Sequence, residues 1–318
     1  MILCNFSNTQ YHLDWYDGKW QGVNEFVRRN KMDGIELLLH GNEDVSQIPK
    51  DLIKGLHLSY FPTWLEFYRG DAYELDFPDD ESLIRTFGGN TPESLHKRFE
   101  RDFEIAKNLD VEYMVYHVSH VRLKDAFTFE FSYTDKEVLD HTLKIVNDVF
   151  KGDGPTLLFE NLWWPGLTLD DSEILESFLG QVEYKNVGIM MDVSHLMLKG
   201  FLEGYHDGLQ YVLDTVDNLG ESIRWIKGMH INGTNSYEYM CQNHLEKYLD
   251  YQDNPKENFM RIYDHISSMD QHIPLLDSRI NDIIDKVNPD YQMIEVVGKD
   301  KSTWEGYVKK QMKVMNVL

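Results

Sequence analysis

The sequence predicts an α/β fold, a single (β/α)8 TIM barrel over residues 1–318 with long loops on its C-terminal face. Three observations predict it. Short apolar runs recur along the chain, and most are near-continuous rather than alternating, as expected of strands buried on both faces of a parallel sheet. Amphipathic helical patterns separate them, which means parallel βα units. Six of the runs end in, or hold, a histidine or an acid. Those polar ends would converge if the strands closed into a ring.

Eight strands are predicted, at Ile2–Phe6, Gly34–Leu39, Gly55–Ser59, Glu112–His117, Thr156–Asn161, Val187–Asp192, Trp225–Ile231 and Gln292–Val297. Each is too short and too apolar for a surface helix. Three- and four-residue spacing of apolar side chains predicts helices over Val23–Arg29, Pro92–Leu109, Asp135–Phe150, Ser172–Leu179, Leu209–Leu219 and Phe259–Ile266. Thr91-Pro92-Glu93-Ser94 reads as an N-cap followed by proline at the first helical position. No Ser/Gly/Pro-rich linker divides the chain.

Two long connections, 60–90 and 232–256, follow predicted strands and so fall on the C-terminal face, where barrel enzymes carry their active sites. The first holds Tyr60, Phe61, Trp64, Phe67, Tyr68, Tyr73 and Phe77. These either pack on one another or form a lid or platform for a bulky, flat or hydrophobic substrate, with Trp163 and Trp164 as the opposite wall. On the second reading Trp64, Tyr68 and Trp163 bind substrate, with Asn161 and Asn232 beside them.

With 31 Lys+Arg against 54 Asp+Glu, the formal charge is −23. This balance repels nucleic acid and anionic membranes. Two cysteines without a Cys-x-x-Cys exclude a disulfide framework and point to a reducing, cytoplasmic setting. No apolar run approaches the length of a membrane span, and no basic n-region marks a signal peptide.

The chemistry is carried by the strand ends: His57, His117, Glu160, Asp192, His195, His230 and Glu295. A lone strand-end histidine is usually a hydrogen-bonded structural residue. Acids at the ends of buried strands are different, because desolvation and mutual repulsion demand a compensating cation. Mixed imidazole and carboxylate donors suit zinc, or alternatively manganese or cobalt; an all-oxygen site would suit magnesium or calcium. Asn161 and Asn232 adjoin ligands and are candidates to orient them.

The blocks Gly34-Ile35-Glu36-Leu37, His57-Leu58-Ser59-Tyr60, His117-Val118-Ser119-His120, Phe159-Glu160-Asn161, Asp192-Val193-Ser194-His195, His230-Ile231-Asn232 and Ile294-Glu295 resemble the xylose isomerase-like TIM-barrel superfamily. That group includes sugar isomerases and epimerases and the family 2 AP endonucleases. In the epimerase branch the resemblance implies one metal on Glu160, Asp192, His230 and Glu295, with the two glutamates moving a substrate proton. In the endonuclease-IV-like branch it implies three zinc ions. The first would sit on His57, His117 and Glu160. The second would sit on the epimerase set, with Glu160 bridging. The third would take His195 and an Asp-x-His pair about a dozen residues after the strand-seven histidine. The stretch there is Gln242-Asn243-His244, so His244 matches and Gln242 replaces the aspartate.

His57 and His117 exceed what a one-metal epimerase needs. The expectation is therefore a metal-dependent hydrolase of a small phosphoester or phosphodiester, with Glu160, Glu295 and His195 at the catalytic centre. The resemblance extends to cobamide-remodelling phosphodiesterases, which makes a corrinoid nucleotide loop one candidate substrate. A divalent-metal sugar isomerase or epimerase is the alternative, and a non-catalytic binding barrel the third possibility.

Overall fold

In a computed structural model, which describes residues 1–40, 45–71, 76–77, 79–253 and 259–318, the chain forms a closed barrel of eight parallel strands. They are β1 (Ile2–Ser7), β2 (Gly34–Leu38), β3 (Ile53–His57), β4 (Tyr113–His117), β5 (Thr156–Glu160), β6 (Val187–Asp192), β7 (Ile226–Ile231) and β8 (Tyr291–Ile294). Each strand pairs with its neighbour in sequence, and β8 closes on β1. All eight coincide with strands expected from sequence. Glu295 differs slightly: it lies just beyond β8 instead of within the run.

Side chains two residues apart share one face of a strand. This periodicity builds the site. Leu3, Tyr113, Val115, Leu158, Met190 and Met293 form a cluster of their own inside the barrel, separate from the larger core between sheet and helices. Two residues beyond Val115, Leu158, Met190 and Met293 come His117, Glu160, Asp192 and Glu295. Gly55 and Gly228 stand in the same relation to His57 and His230. An apolar plug therefore underlies a ring of polar strand ends.

All six expected helices are present, with ends shifted by a few residues. The helix Glu93–Leu109 begins one residue later than expected, with Pro92 in the cap position. The helix Val193–Leu202 is additional. The Asp192 carboxylate accepts from the backbone N–H of His195, so the ligand strand passes straight into a helix where the sequence suggests a loop. The C-terminal helix Lys301–Val314 is likewise additional.

The connections 60–90 and 232–256 carry short helices, at Leu65–Arg69, Asp80–Phe87, Tyr237–Met240 and Leu245–Asp253. Tyr73 lies outside the described residues. Among the described residues no helix is long and apolar enough to cross a membrane.

Candidate metal centre

Among the described residues, three groups of side chains at the C-terminal mouth each bring candidate ligand atoms within 4.8 Å of one another: His57–His117–Glu160, Glu160–Asp192–His230–Glu295, and His195–Asp270–His272. Glu160 belongs to two of them. It is fully buried, and neither of its oxygens has a hydrogen bond of good geometry. One oxygen faces His117 Nε2 at 3.0 Å and His57 Nε2 at 3.5 Å; the other faces His230 Nδ1 at 3.3 Å.

The far nitrogen of several histidines is held by the scaffold. His57 Nδ1 lies 3.0 Å from the Leu58 carbonyl, His195 Nδ1 lies 2.9 Å from the Asn161 carbonyl, and His230 Nε2 lies 3.2 Å from Glu36. In each case the inward nitrogen is left to accept. Metal-binding histidines are commonly oriented this way. His57 Nε2 and His117 Nε2 face each other at 2.9 Å, and the inward Nδ1 of His230 makes no hydrogen bond. A cation between these lone pairs would satisfy them, so the residues present fit a divalent metal of the zinc type.

Electrostatics point the same way. Burial opposes charge on Glu160, but His117 and His230 hold its pKa well below the usual carboxylate range. Burial dominates at Asp192 and pushes its pKa up to about 6, against His195. Burial opposes protonation of His195 and His230, yet Asp192 and Asp270 around the first, and Glu295 and Glu36 around the second, raise both well above the usual imidazole range. Burial also opposes the proton on His272, yet Asp270 lifts that group to about 10. Without a cation, imidazole protons balance the buried carboxylates.

The third group differs from expectation. His244 is not in it. Its Nε2 donates to the Tyr239 carbonyl at 2.8 Å, and its ring stacks on Tyr239 and packs against His265. The aspartate and second histidine are Asp270 and His272. Asp270 Oδ2 lies 2.7 Å from His272 Nε2 and 3.2 Å from His195 Nε2. Sequence reasoning misses this pair because it falls about forty residues beyond His230 instead of a dozen. The inserted segment leaves β7 at Gly233 and returns at Ile273, where the two residues exchange backbone hydrogen bonds of 2.8 and 3.0 Å. That bridge brings Asp270-Gln271-His272 back to the barrel mouth. The Asp-x-His spelling is the available signal.

The residues expected to bind substrate are placed otherwise. Asn161 Nδ2 donates to the Asp192 carbonyl and its Oδ1 accepts from the Asp192 N–H. Asn232 Nδ2 donates to the Asp192 carboxylate at 2.9 Å and lies 3.3 Å from Glu295, while its Oδ1 accepts from Ser194 N–H. Both asparagines hold Asp192, a candidate ligand. Ser194 Oγ lies within hydrogen-bond distance of both Asp192 and Asp270, linking the second and third groups.

Trp64 and Trp163 are buried; Trp64 Nε1 donates to the Ser119 carbonyl, and Trp163 packs on His195 and on the buried Trp164. Tyr68 lies against His96 and His141, away from the metal ligands. The expected aromatic platform is thus largely core. Half-buried Tyr60, its ring centroid 4.2 Å from that of His117, meets the candidate ligands from the first loop, as Trp163 does at His195.

Solved structures of like fold include an endonuclease IV from Thermus thermophilus, with a TM-score of 0.53 and 14% identity over 100% of this chain and 99% of that one. The IOLI protein with a bound zinc atom gives 0.55 and 14%, over 99% and 97%. A sugar phosphate isomerase/epimerase from Parabacteroides distasonis gives 0.51 and 12%, over 98% and 94%. At these identities the likeness is one of fold. No curated protein matches by sequence. The family described as xylose isomerase-like TIM barrel matches residues 25–285, and with its closed eight-stranded barrel the chain belongs to that family.

Proposed function

We propose that the protein is a metal-dependent hydrolase of small phosphoesters, phosphodiesters above all. One observation carries this reading: two further groups, His57–His117–Glu160 and His195–Asp270–His272, adjoin the four-residue group, the first by sharing Glu160 and the second through Ser194. An isomerase working with one metal would use the four-residue group alone and leave five of these side chains without a task. The likeness in fold to an endonuclease agrees with the reading but does not carry it.

Divalent metals bound here would supply an acidified water and positive charge for phosphoryl oxygens. The chain's own residues do the rest. Glu160 ties two groups together. Asn161, Asn232 and Ser194 fix the carboxylates and the backbone of Asp192. The Leu58 and Asn161 carbonyls set the tautomers of His57 and His195. Glu295 and His195 complete the ring of charge around the position of the reacting phosphoryl group.

A net charge of −23 favours a small substrate over duplex nucleic acid. The buried tryptophans withdraw the particular support for a large flat ligand, so a corrinoid is one member of the test panel and no more. The two cysteines, neither of them in a disulfide, fit a reducing cytoplasm.

The test is elemental analysis of protein purified without chelator, together with hydrolysis of bis(p-nitrophenyl) phosphate and a panel of nucleotide and corrinoid phosphodiesters. More than one metal per chain is expected, with hydrolysis that chelation abolishes and zinc or manganese restores. A single ion, no hydrolysis, and solvent deuterium entering a ketose would put the isomerase reading in its place.

A further inference from the structure

Inside the barrel, one layer below the metal ligands, lies a carboxyl group that the proposed chemistry does not use. Glu36 on β2 is completely buried. Its Oε2 accepts from the Tyr113 hydroxyl at 2.8 Å and lies 3.2 Å from His230 Nε2. Its Oε1 has no partner. A carboxyl group fully buried beside Tyr113, itself a member of the apolar cluster inside the barrel, is costly to keep there unless it serves a neighbour.

The surroundings are shaped to hold it. Tyr113 reaches Glu36 because its ring occupies the space a side chain at position 55 would take; a Cβ on Gly55 would lie 2.2 Å from the ring. Tyr291 packs on the opposite side of Tyr113, with ring centroids 4.3 Å apart.

We propose that Glu36 is a positioning residue for the second ligand group, holding the Nε2–H of His230 from inside the barrel so that Nδ1 is the ligand atom. This rests on the metal-centre reading above. Two geometric observations support it. His230 Nδ1 faces Glu295 at 3.1 Å, Glu160 at 3.3 Å and Asp192 at 3.8 Å, the three carboxylates of its group. Turned over about Cβ–Cγ, the imidazole would exchange Nε2 for Cε1 and Nδ1 for Cδ2, leaving the Glu36 carboxyl group without its N–H and the three carboxylates facing carbon. Carboxylate partners of this kind fix ring orientation and raise ligand basicity, and their loss typically weakens metal binding about 10–100-fold.

The arrangement is also selective. The far nitrogens of His57 and His195 are held by backbone carbonyls instead of by Glu36. Loss of Glu36 should therefore weaken one metal and spare the others. A purely structural role would weaken all of them together, through a loosened barrel.

The experiment is titration of chelator-treated protein with cobalt(II), following the visible spectrum and competing against a chromophoric chelator. It compares the natural protein with Glu36→Gln, which keeps the volume, and Tyr113→Phe, which removes the second hydrogen bond to the same carboxyl group. Thermal melts of the metal-free proteins check the fold. Glu36→Gln should weaken one cobalt step by about tenfold or more and alter the spectrum of that step, leaving the remaining steps unchanged. Tyr113→Phe should weaken the same step by a smaller factor. If both variants bind every cobalt ion as the natural protein does, or lose all steps equally, the inference is overturned while the metal-centre reading stands. If the natural protein takes up no cobalt, both fall.

Discussion

His272 sits in a left-handed backbone conformation, with φ of 46°. A non-glycine residue there is strained, and strain of this kind gathers at functional sites. The strain fits the third group, where His272 lies 2.7 Å from Asp270. It yields a prediction that separates this pair from the one expected at residues 242–244. Asp270→Asn or His272→Ala should lower the metal content by one ion per chain and reduce phosphodiester hydrolysis at least tenfold. His244→Ala should leave metal content unchanged. Elemental analysis of the three variants checks this, and an ion lost from His244→Ala would return the third group to residues 242–244.

The neighbouring His265 shows the opposite character. It is buried, its ring stacks on Phe127 at 4.0 Å, its Nε2 donates to the Ala126 carbonyl, and burial lowers its pKa to about 4. The unfolded chain binds the proton more tightly, with a pKa near 6.5. Stability is therefore full above about pH 6.5 and falls as pH drops toward 4, by about 3 kcal/mol at most. His265→Gln should flatten that part of the profile in urea melts run at pH 4.5 and 7.5.

At the scale of elements, the strands are legible in the sequence and the ligand ring with them. Two-residue periodicity relates Leu158 to Glu160 and Met190 to Asp192 in the sequence as in the barrel. The remaining features have weaker or displaced signals. The helix Val193–Leu202 is apolar nearly all round, because it is buried, so it shows no amphipathic stripe. Asp270 and His272 are displaced by an insertion whose closing bridge, Gly233 to Ile273, has no sequence signature.

The sequence leaves open whether Trp64 and Trp163 pack internally or face a substrate, because a loop's own packing cannot be inferred from its composition. Gly55 is a strand position with no room for a side chain. Gly55→Ala would drive a methyl group into the Tyr113 ring, with the nearest atom at 2.2 Å. A cost of about 1–3 kcal/mol is expected from overpacking, measured as a lower urea midpoint. Cobalt binding at one step should weaken as well, because Tyr113 would no longer brace Glu36. An unchanged midpoint would mean that Tyr113 can move aside freely.

For the whole molecule, any metals bound at the barrel mouth would contribute to stability separately from the barrel core. The core is extensive, running from Cys4 and Val23 to Trp304 and Met312, and none of the candidate ligands belongs to it. This is unlike a small zinc domain, which unfolds when its ion is removed. Yet three buried carboxylates, Glu160, Asp192 and Glu295, meet in one group, and without metal the positive charge near them comes from imidazole protons. Each ion that binds the folded chain alone adds RT ln(1 + [M]/Kd), about 2.7 kcal/mol at a hundredfold excess over Kd. For a chain of 318 residues that is roughly 4 °C in melting temperature per site. Chelation should thus lower the melting temperature in steps as successive sites empty, while unfolding stays cooperative. Proton uptake should accompany each step, since imidazoles freed of metal become protonated in the field of the same carboxylates. Calorimetry with and without chelator, in two buffers of different ionisation enthalpy, reads both quantities. A melting temperature indifferent to chelation, with no proton exchange, would mean that these buried groups hold no metal and that the ring of charge at the barrel mouth is balanced by protons alone.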